Sequence, residues 1–210
     1  MTIGETRVDF LRHGLPEGDK CLRGHTDFAL TEVGFAQMEH AASSLKELDV
    51  IVTSPLQRCA TFAHHIAQQF NLEVVEEPLW KEMNFGEWDG LEQQQLWQDI
   101  GLTLDSYWRD PWQLTEQGEA LHKGETLEHF DARILQAWQT LVAQYAGKKI
   151  LVVTHAGVMH QLLRHLLSMP KDTTYLHCIK FDYAARYRVT HFVDNENQQW
   201  PRLYWPPYID

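Results

Sequence analysis

Two short runs of apolar, mostly β-branched residues constrain the fold of this chain most. Val50-Ile51-Val52-Thr53 and Ile150-Leu151-Val152-Val153 lack the alternation of a half-exposed strand, which is the pattern of strands buried on both faces. Val8-Asp9-Phe10-Leu11 is a third run of the same kind. Between them the spacing changes to that of helices. Phe35, Met38, Ala42, Leu45 and Leu48 form one stripe, with Thr31 placed to cap its start. Phe62, Ala63, Ile66, Ala67 and Phe70 form a second. Leu127, Phe130, Ile134, Trp138, Leu141 and Tyr145 form the longest, with Gly147 at its end. A further helix is expected after His155, through Val158, Leu162 and Leu166, stopping before Pro170. Alternating strands and helices predict an α/β fold of three layers, a mostly parallel sheet with helices on both faces. Tyr187-Arg188-Val189-Thr190 reads as a late strand at the sheet edge, and Trp200 to Asp210 as an irregular surface tail.

A length of 210 residues suits one sizeable core. With no linker or repeat to divide it, 1–210 is expected to be a single domain. Residues 80–123 are expected to form an excursion covering the sheet's carboxyl edge; Trp88, Trp97, Trp108 and Trp112, four of the eight tryptophans, fall within 88–123. These rings suit either contact with a flat leaving group or the excursion's own core. Three cysteines without CxxC spacing predict a reduced, cytoplasmic protein. No stretch is apolar enough to cross a bilayer. A net charge of −11 argues against nucleic acid as partner and requires any anion site to be a local cluster. None of the twelve histidines has a second pair of ligands at zinc spacing, and GxxxxGK[ST], GxGxxG and HExxH are absent. No metal site is expected, and the sequence assigns no oligomeric state.

The chemistry lies where the apolar runs end. Arg12-His13-Gly14 follows Val8–Leu11, Ser54-Pro55-Leu56-Gln57-Arg58 follows Val50–Thr53 and Thr154-His155-Ala156-Gly157 follows Ile150–Val153. In open α/β sheets, ligands bind beyond the carboxyl ends of the strands. A surface turn, a helix-start arginine and a core histidine would explain these one at a time. Together they put Arg12, His13, Arg58 and His155 at one sheet edge, a constellation for a dianion. Guanidinium holds phosphate oxygens with parallel hydrogen bonds. A neutral imidazole can attack phosphorus and form a phosphohistidine. The leaving oxygen then needs a proton, which a carboxyl group of raised pKa can give. By composition, Glu82, Glu87 and Asp89 of Trp80–Gly90 are equal candidates.

These three segments resemble the signature of the histidine phosphatase superfamily, which includes cofactor-dependent phosphoglycerate mutase and fructose-2,6-bisphosphatase. The match runs from about Val8 to about Pro170, and Leu30-Thr31-Glu32-Val33-Gly34 is similar to the family's helix-opening segment. The resemblance implies a phosphoglycerate mutase-like fold and a metal-independent phosphomonoesterase that needs no cofactor and acts on a small phosphate ester. It implies that His13 is the nucleophile and that Arg12, Arg58 and His155 hold the phosphoryl group. It adds Arg23, Gly24 and Gly157 as substrate-binding residues. It brings Glu82 forward as the acid, because the family's proton donor precedes a Phe-Gly-x-Trp-x-Gly turn, here Phe85 to Gly90. Mutases carry glutamate-arginine-histidine-tyrosine where this chain has Glu82-Met83-Asn84-Phe85, which favours hydrolysis; Gly124-Glu125-Thr126 fits both branches. Arg23 to Leu30, with the aromatic turn, is most similar to the α-ribazole-5′-phosphate phosphatases of cobalamin assembly. Broad or sugar-phosphate specificity is the alternative, and a non-catalytic phosphate-binding module another. Leu15-Pro16-Glu17-Gly18-Asp19 departs from the family pattern. Its backbone N–H groups are expected to replace the missing side-chain donors.

Overall fold

The computed structural model describes residues 4–18, 20–172 and 174–205. Its strands are β1 (Thr6–Arg12), β2 (Val50–Thr53), β3 (Val74–Glu76), β4 (Lys149–Thr154), β5 (Arg186–Val193) and β6 (Gln199–Tyr204). Its α-helices are α1 (Glu32–Ala42), α2 (Gln57–Phe70), α3 (Gln93–Arg109), α4 (Leu127–Gln144), α5 (Ala156–Leu166) and α6 (Thr174–Cys178). Six strands form one sheet in the order β3-β2-β4-β1-β5-β6. The first four are mutually parallel; β5 pairs antiparallel with β1, and β6 antiparallel with β5.

Successive residues of each buried strand enter opposite helical layers. Ile150 and Val152 pack with Phe10, Phe130, Ile134 and Leu162 against α4 and α5. Leu151 and Val153 pack with Leu11, Met38, Phe62 and Ile66 against α1 and α2. Both faces of the sheet are therefore covered, which is why these strands read as unbroken apolar runs. Thr31 caps α1 by accepting from the Gly34 N–H at 3.0 Å. The helix ends at Ala42, sooner than its stripe predicts, and Leu45 and Leu48 reach the same core from the turn that follows.

The carboxyl side differs from the sequence reading. β5 is an inner strand and not an edge, because Gln199–Tyr204, which takes in the start of the expected irregular tail at Trp200, adds to it as β6; residues 206–210 lie outside the described residues. β5 looks like an edge because it carries Arg186 and Arg188. Both are buried, and Arg188 Nε donates to the fully buried Asp9 of β1 at 3.1 Å. Charge pairing across the ladder thus hides an inner strand from hydropathy. The excursion contains α3, which breaks at Ile100 (φ −137°, ψ 29°). It builds a small core of its own from Leu22, Trp88, Leu96, Leu104 and Tyr107. Among the described residues no helix is long and apolar enough to cross a membrane.

Candidate active site

Register sets the geometry. Arg12 of β1 lies opposite Thr154 of β4, and Thr53 of β2 opposite Val153. The three strands end within a residue of each other, so His13, Ser54 and His155 leave the sheet side by side. The His13 N–H still donates to Thr154 O at 2.9 Å and the Ser54 N–H to Val153 O at 3.0 Å.

His13 is 4% exposed. Its Nδ1 lies 2.7 Å from the carbonyl of Gly14. The carbonyl can only accept, so Nδ1 carries the proton and Nε2 keeps its lone pair. Burial, then the positive charges of Arg58 and Arg12, hold the imidazole well below its usual pKa. The His155 ring stands edge-on to it, with centroids 5.3 Å apart. His155 Nε2 is 2.8 Å from Ser54 Oγ. Burial and the charge of Arg58 keep His155 neutral too.

The arginines are placed by main-chain carbonyls. Arg58, in the first turn of α2 and without exposed surface, donates to Gly24 O at 2.6 Å and to Thr26 O at 3.1 Å. Arg12 donates to Phe181 O at 2.5 Å and stacks 4.4 Å from the ring centre of Tyr183. Among the described residues, Nε of Arg12 and Nε of Arg58 are buried without a hydrogen-bond partner. Two buried N–H donors on two cations are a standing demand for an acceptor with negative charge.

Glu82 is 9% exposed. Its carboxylate oxygens accept from the Met83 and Gly157 N–H groups, each at 3.0 Å. Burial pushes its pKa up, against the pull of those two hydrogen bonds and of Arg58 and Arg12. A Cβ on Gly157 would fall 2.2 Å from Glu82 Oε1. Only glycine there lets the carboxyl group approach the start of α5. The other acids are differently employed. Glu87 is exposed and pairs with Lys123 at 2.9 Å. Burial raises the Asp89 pKa, but hydrogen bonds from Thr26, His25 and Gly24 outweigh it and hold the carboxylate in its charged form.

A cavity of about 1080 Å³, counted with its mouth, opens beside these groups. Arg12, His13, Arg23 and Glu82 line it together with Tyr107 and Trp108 of α3. The sequence-predicted residues thus converge, but in two depths. Gly157 is on the wall; Arg58 and His155 stand fully buried outside the lining. Gly24 is not on the wall; its carbonyl holds Arg58 and its N–H donates to Asp89 at 3.0 Å. The loop after Gly14 corrects another expectation. The N–H groups of Leu15 and Glu17 are already bonded to Gln37 and Ala29. The carbonyls of Glu17 and Gly18 receive Arg23 instead. Asp19 lies outside the described residues. Of Trp88, Trp97, Trp108 and Trp112, only Trp108 lines this cavity. Trp88 is buried against Tyr107 and His122, Trp97 is exposed, and Trp112 packs against Arg164 and Lys171.

Sequence reasoning missed two supports. Arg133 of α4 donates to the carbonyls of Leu79 and Lys81 at 2.7 and 2.9 Å and pairs with Glu125, bracing the segment that carries Glu82. Tyr183 touches both Arg12 and Arg23. Neither leaves a sequence signal, since main-chain carbonyl partners have no pattern and Tyr183 sits in an aperiodic stretch. Among the described residues no group of three or more His, Cys, Asp or Glu is placed to hold a metal ion.

A family model for the histidine phosphatase superfamily (branch 1) matches residues 8–200. Bifunctional protein Rv2228c of Mycobacterium tuberculosis (strain ATCC 25618 / H37Rv) is 29% identical over 185 residues, covering 86% of this chain and 49% of that protein. The chain therefore spans about half the length of that relative. Uncharacterized phosphatase PhoE of Bacillus subtilis (strain 168) is 28% identical over 166 residues, 77% of each chain. The solved structure of a putative alpha-ribazole-5′-P phosphatase from Escherichia coli superposes with a TM-score of 0.78 at 23% identity, over 95% of this chain and 94% of that one. Likeness at that identity speaks for the fold.

Proposed function

The chain belongs to the histidine phosphatase superfamily, and from that premise we propose that it is a metal-independent phosphomonoesterase working through a phosphohistidine at His13. The observation that carries this is the pair of orphaned, buried Nε–H donors on Arg12 and Arg58, next to an imidazole held neutral. Such a site answers to a phosphoryl dianion and a nucleophile together.

The free Nε2 of His13 attacks phosphorus in line. The bond from phosphorus to the ester oxygen breaks, its electron pair stays on that oxygen, and Glu82 supplies the proton. Arg12, with Arg58 and His155 from behind, holds the phosphoryl oxygens and offsets the charge that grows on them. Water then attacks phosphorus, Glu82 takes its proton, and the break of the phosphorus–nitrogen bond restores His13 and frees phosphate.

The substrate we propose is α-ribazole 5′-phosphate. Support comes from the similarity of residues 23–30 to that branch, from a structural neighbour bearing that name, and from the aromatic wall at Tyr107 and Trp108, which suits a planar leaving group. The test is a turnover panel. The kcat/KM for α-ribazole 5′-phosphate should stand well above that for glucose 6-phosphate or AMP, and a chelator should leave it unchanged. Comparable values across the three would mean a general or sugar-phosphate phosphatase, and no turnover of any ester a phosphate-binding module. Brief mixing with substrate should give an acid-labile, base-stable phosphoenzyme.

A further inference from the structure

Tyr183 follows the carbonyl that holds Arg12 by two residues, and its turn is tied to the end of β1. The Ala184 N–H donates to His13 O at 3.1 Å, and the Arg12 N–H donates to Ala185 O at 2.9 Å. From this anchored position the side chain reaches two cations. Its ring lies 4.4 Å beneath the Arg12 guanidinium, and its hydroxyl accepts from Arg23 Nη1 at 3.1 Å. The ring is also 5.9 Å from that of His13. Arg23 also donates to the carbonyls of Glu17 and Gly18, on a loop that follows Gly14, and lies 6.0 Å from the ring centre of Phe28.

We propose that Tyr183 is a positioning residue that locks Arg12 and Arg23 into one anion-holding pair, the ring serving Arg12 and the hydroxyl serving Arg23. Two guanidinium groups lining one cavity repel each other, and each has a long side chain with many rotamers. An aromatic face fixes one by attraction to its π cloud. The hydroxyl fixes the other without consuming Arg12 Nε, which stays free for an oxygen of the ligand. The pair would hold phosphate in the substrate, in the phosphoenzyme and in the product alike.

This rests on the phosphomonoesterase reading, and direct anion binding tests it apart from turnover. Calorimetric titration with orthovanadate and with inorganic phosphate is run on wild type, Tyr183→Phe, Tyr183→Leu, Arg23→Met and the Tyr183→Phe/Arg23→Met double variant. Tyr183→Phe keeps the ring and should weaken vanadate binding roughly 3- to 10-fold, the range for the net worth of one ordinary hydrogen bond. In the Arg23→Met background the same change should cost nothing further. Tyr183→Leu should weaken binding beyond Tyr183→Phe, by a further factor of about 2 to 10 for the lost cation–ring contact. With p-nitrophenyl phosphate, Tyr183→Phe should raise KM and leave kcat within about twofold, which a loss of folding alone would not do. Equal cost of Tyr183→Phe in both backgrounds, or unchanged affinity in both single Tyr183 variants, overturns the proposal. Vanadate coupling as described in a protein that turns over no ester would leave Tyr183 in place and remove the enzyme reading instead.

Discussion

Burial shifts His13 and Glu82 in opposite directions for the same reason: each is removed from water, which disfavours whichever form carries charge and so lowers the pKa of the base and raises that of the acid. The consequence for pH follows with its sign. The lowered His13 pKa keeps the nucleophile unprotonated well below pH 6.5, so the acid limb of kcat/KM should lie under the ordinary histidine range. The raised Glu82 pKa keeps the acid protonated above the ordinary carboxyl range, so activity should fall as pH rises through that value. Glu82→Gln should remove this basic limb. It should slow sugar and nucleoside phosphates by about 10²–10⁴ and p-nitrophenyl phosphate much less, because p-nitrophenolate leaves without a proton. Equal losses on both esters would take Glu82 out of the role. His13→Ala should abolish turnover while the circular-dichroism melt stays cooperative, since the ring lies beyond the last residue of β1 and outside the apolar cores. Near-normal kcat in that variant would end the phosphohistidine mechanism. The convergence of Arg12, His13, Arg58 and His155 was legible in sequence because each follows a run that can only be a strand. Tyr183 and Arg133 were not, because what recommends them is a distance to a distant backbone.

Strand ends are the unit that carries the site, and helices supply its fine adjustment. Arg58 comes from the first turn of α2, and the Gly157 N–H, from the first turn of α5, holds Glu82. Gly157→Ala therefore tests an element contact. Its Cβ would sit 2.2 Å from Glu82 Oε1, so the carboxyl group must move. The variant should fold and bind vanadate normally yet lose about 10- to 100-fold in rate on poor leaving groups, since misplacement by an ångström can cost that much. Normal rates would show that the approach of Glu82 to α5 is dispensable. At this scale β1, β2 and β4 were readable from their apolar runs, while β3 and β6 were not. β3 has only three residues, with burial falling off along it. β6 carries Trp200, Pro201 and Arg202 exposed to solvent and reads as a tail. Within 80–123 the tryptophans suggested a roof over the site, but their individual fates depend on packing among Leu22, Leu96 and Leu104 that periodicity does not encode.

Across the whole molecule, several of the twelve histidines are buried in neutral form. His13, His155 and His122 all have pKa values pulled down by burial first, His122 to about 4. The unfolded chain binds protons at these positions from about pH 6.5 downward, and the folded chain does not. Stability should therefore be complete above pH 6.5 and be lost as pH falls below it, by up to about 1.4 kcal/mol per pH unit for each such imidazole. Urea midpoints measured between pH 7 and pH 5 check this, and a flat profile would contradict it. The chain's outermost strand has a further consequence, concerning solubility and not catalysis. Among the described residues β6 is the strand that follows β5 at this margin of the sheet, and β5 buries Tyr187, Val189 and Thr190 along a continuous ladder. Pro201 removes one donor from β6 and Arg202 places a charge beside it, the features that make a sheet edge a poor template for another chain. Deleting residues 199–210 would present β5 as a bare edge with its ladder unpaired on that side. Light scattering of that truncated protein should show concentration-dependent assembly that the intact chain does not; a monodisperse monomer would mean the sheet guards its margin by other means.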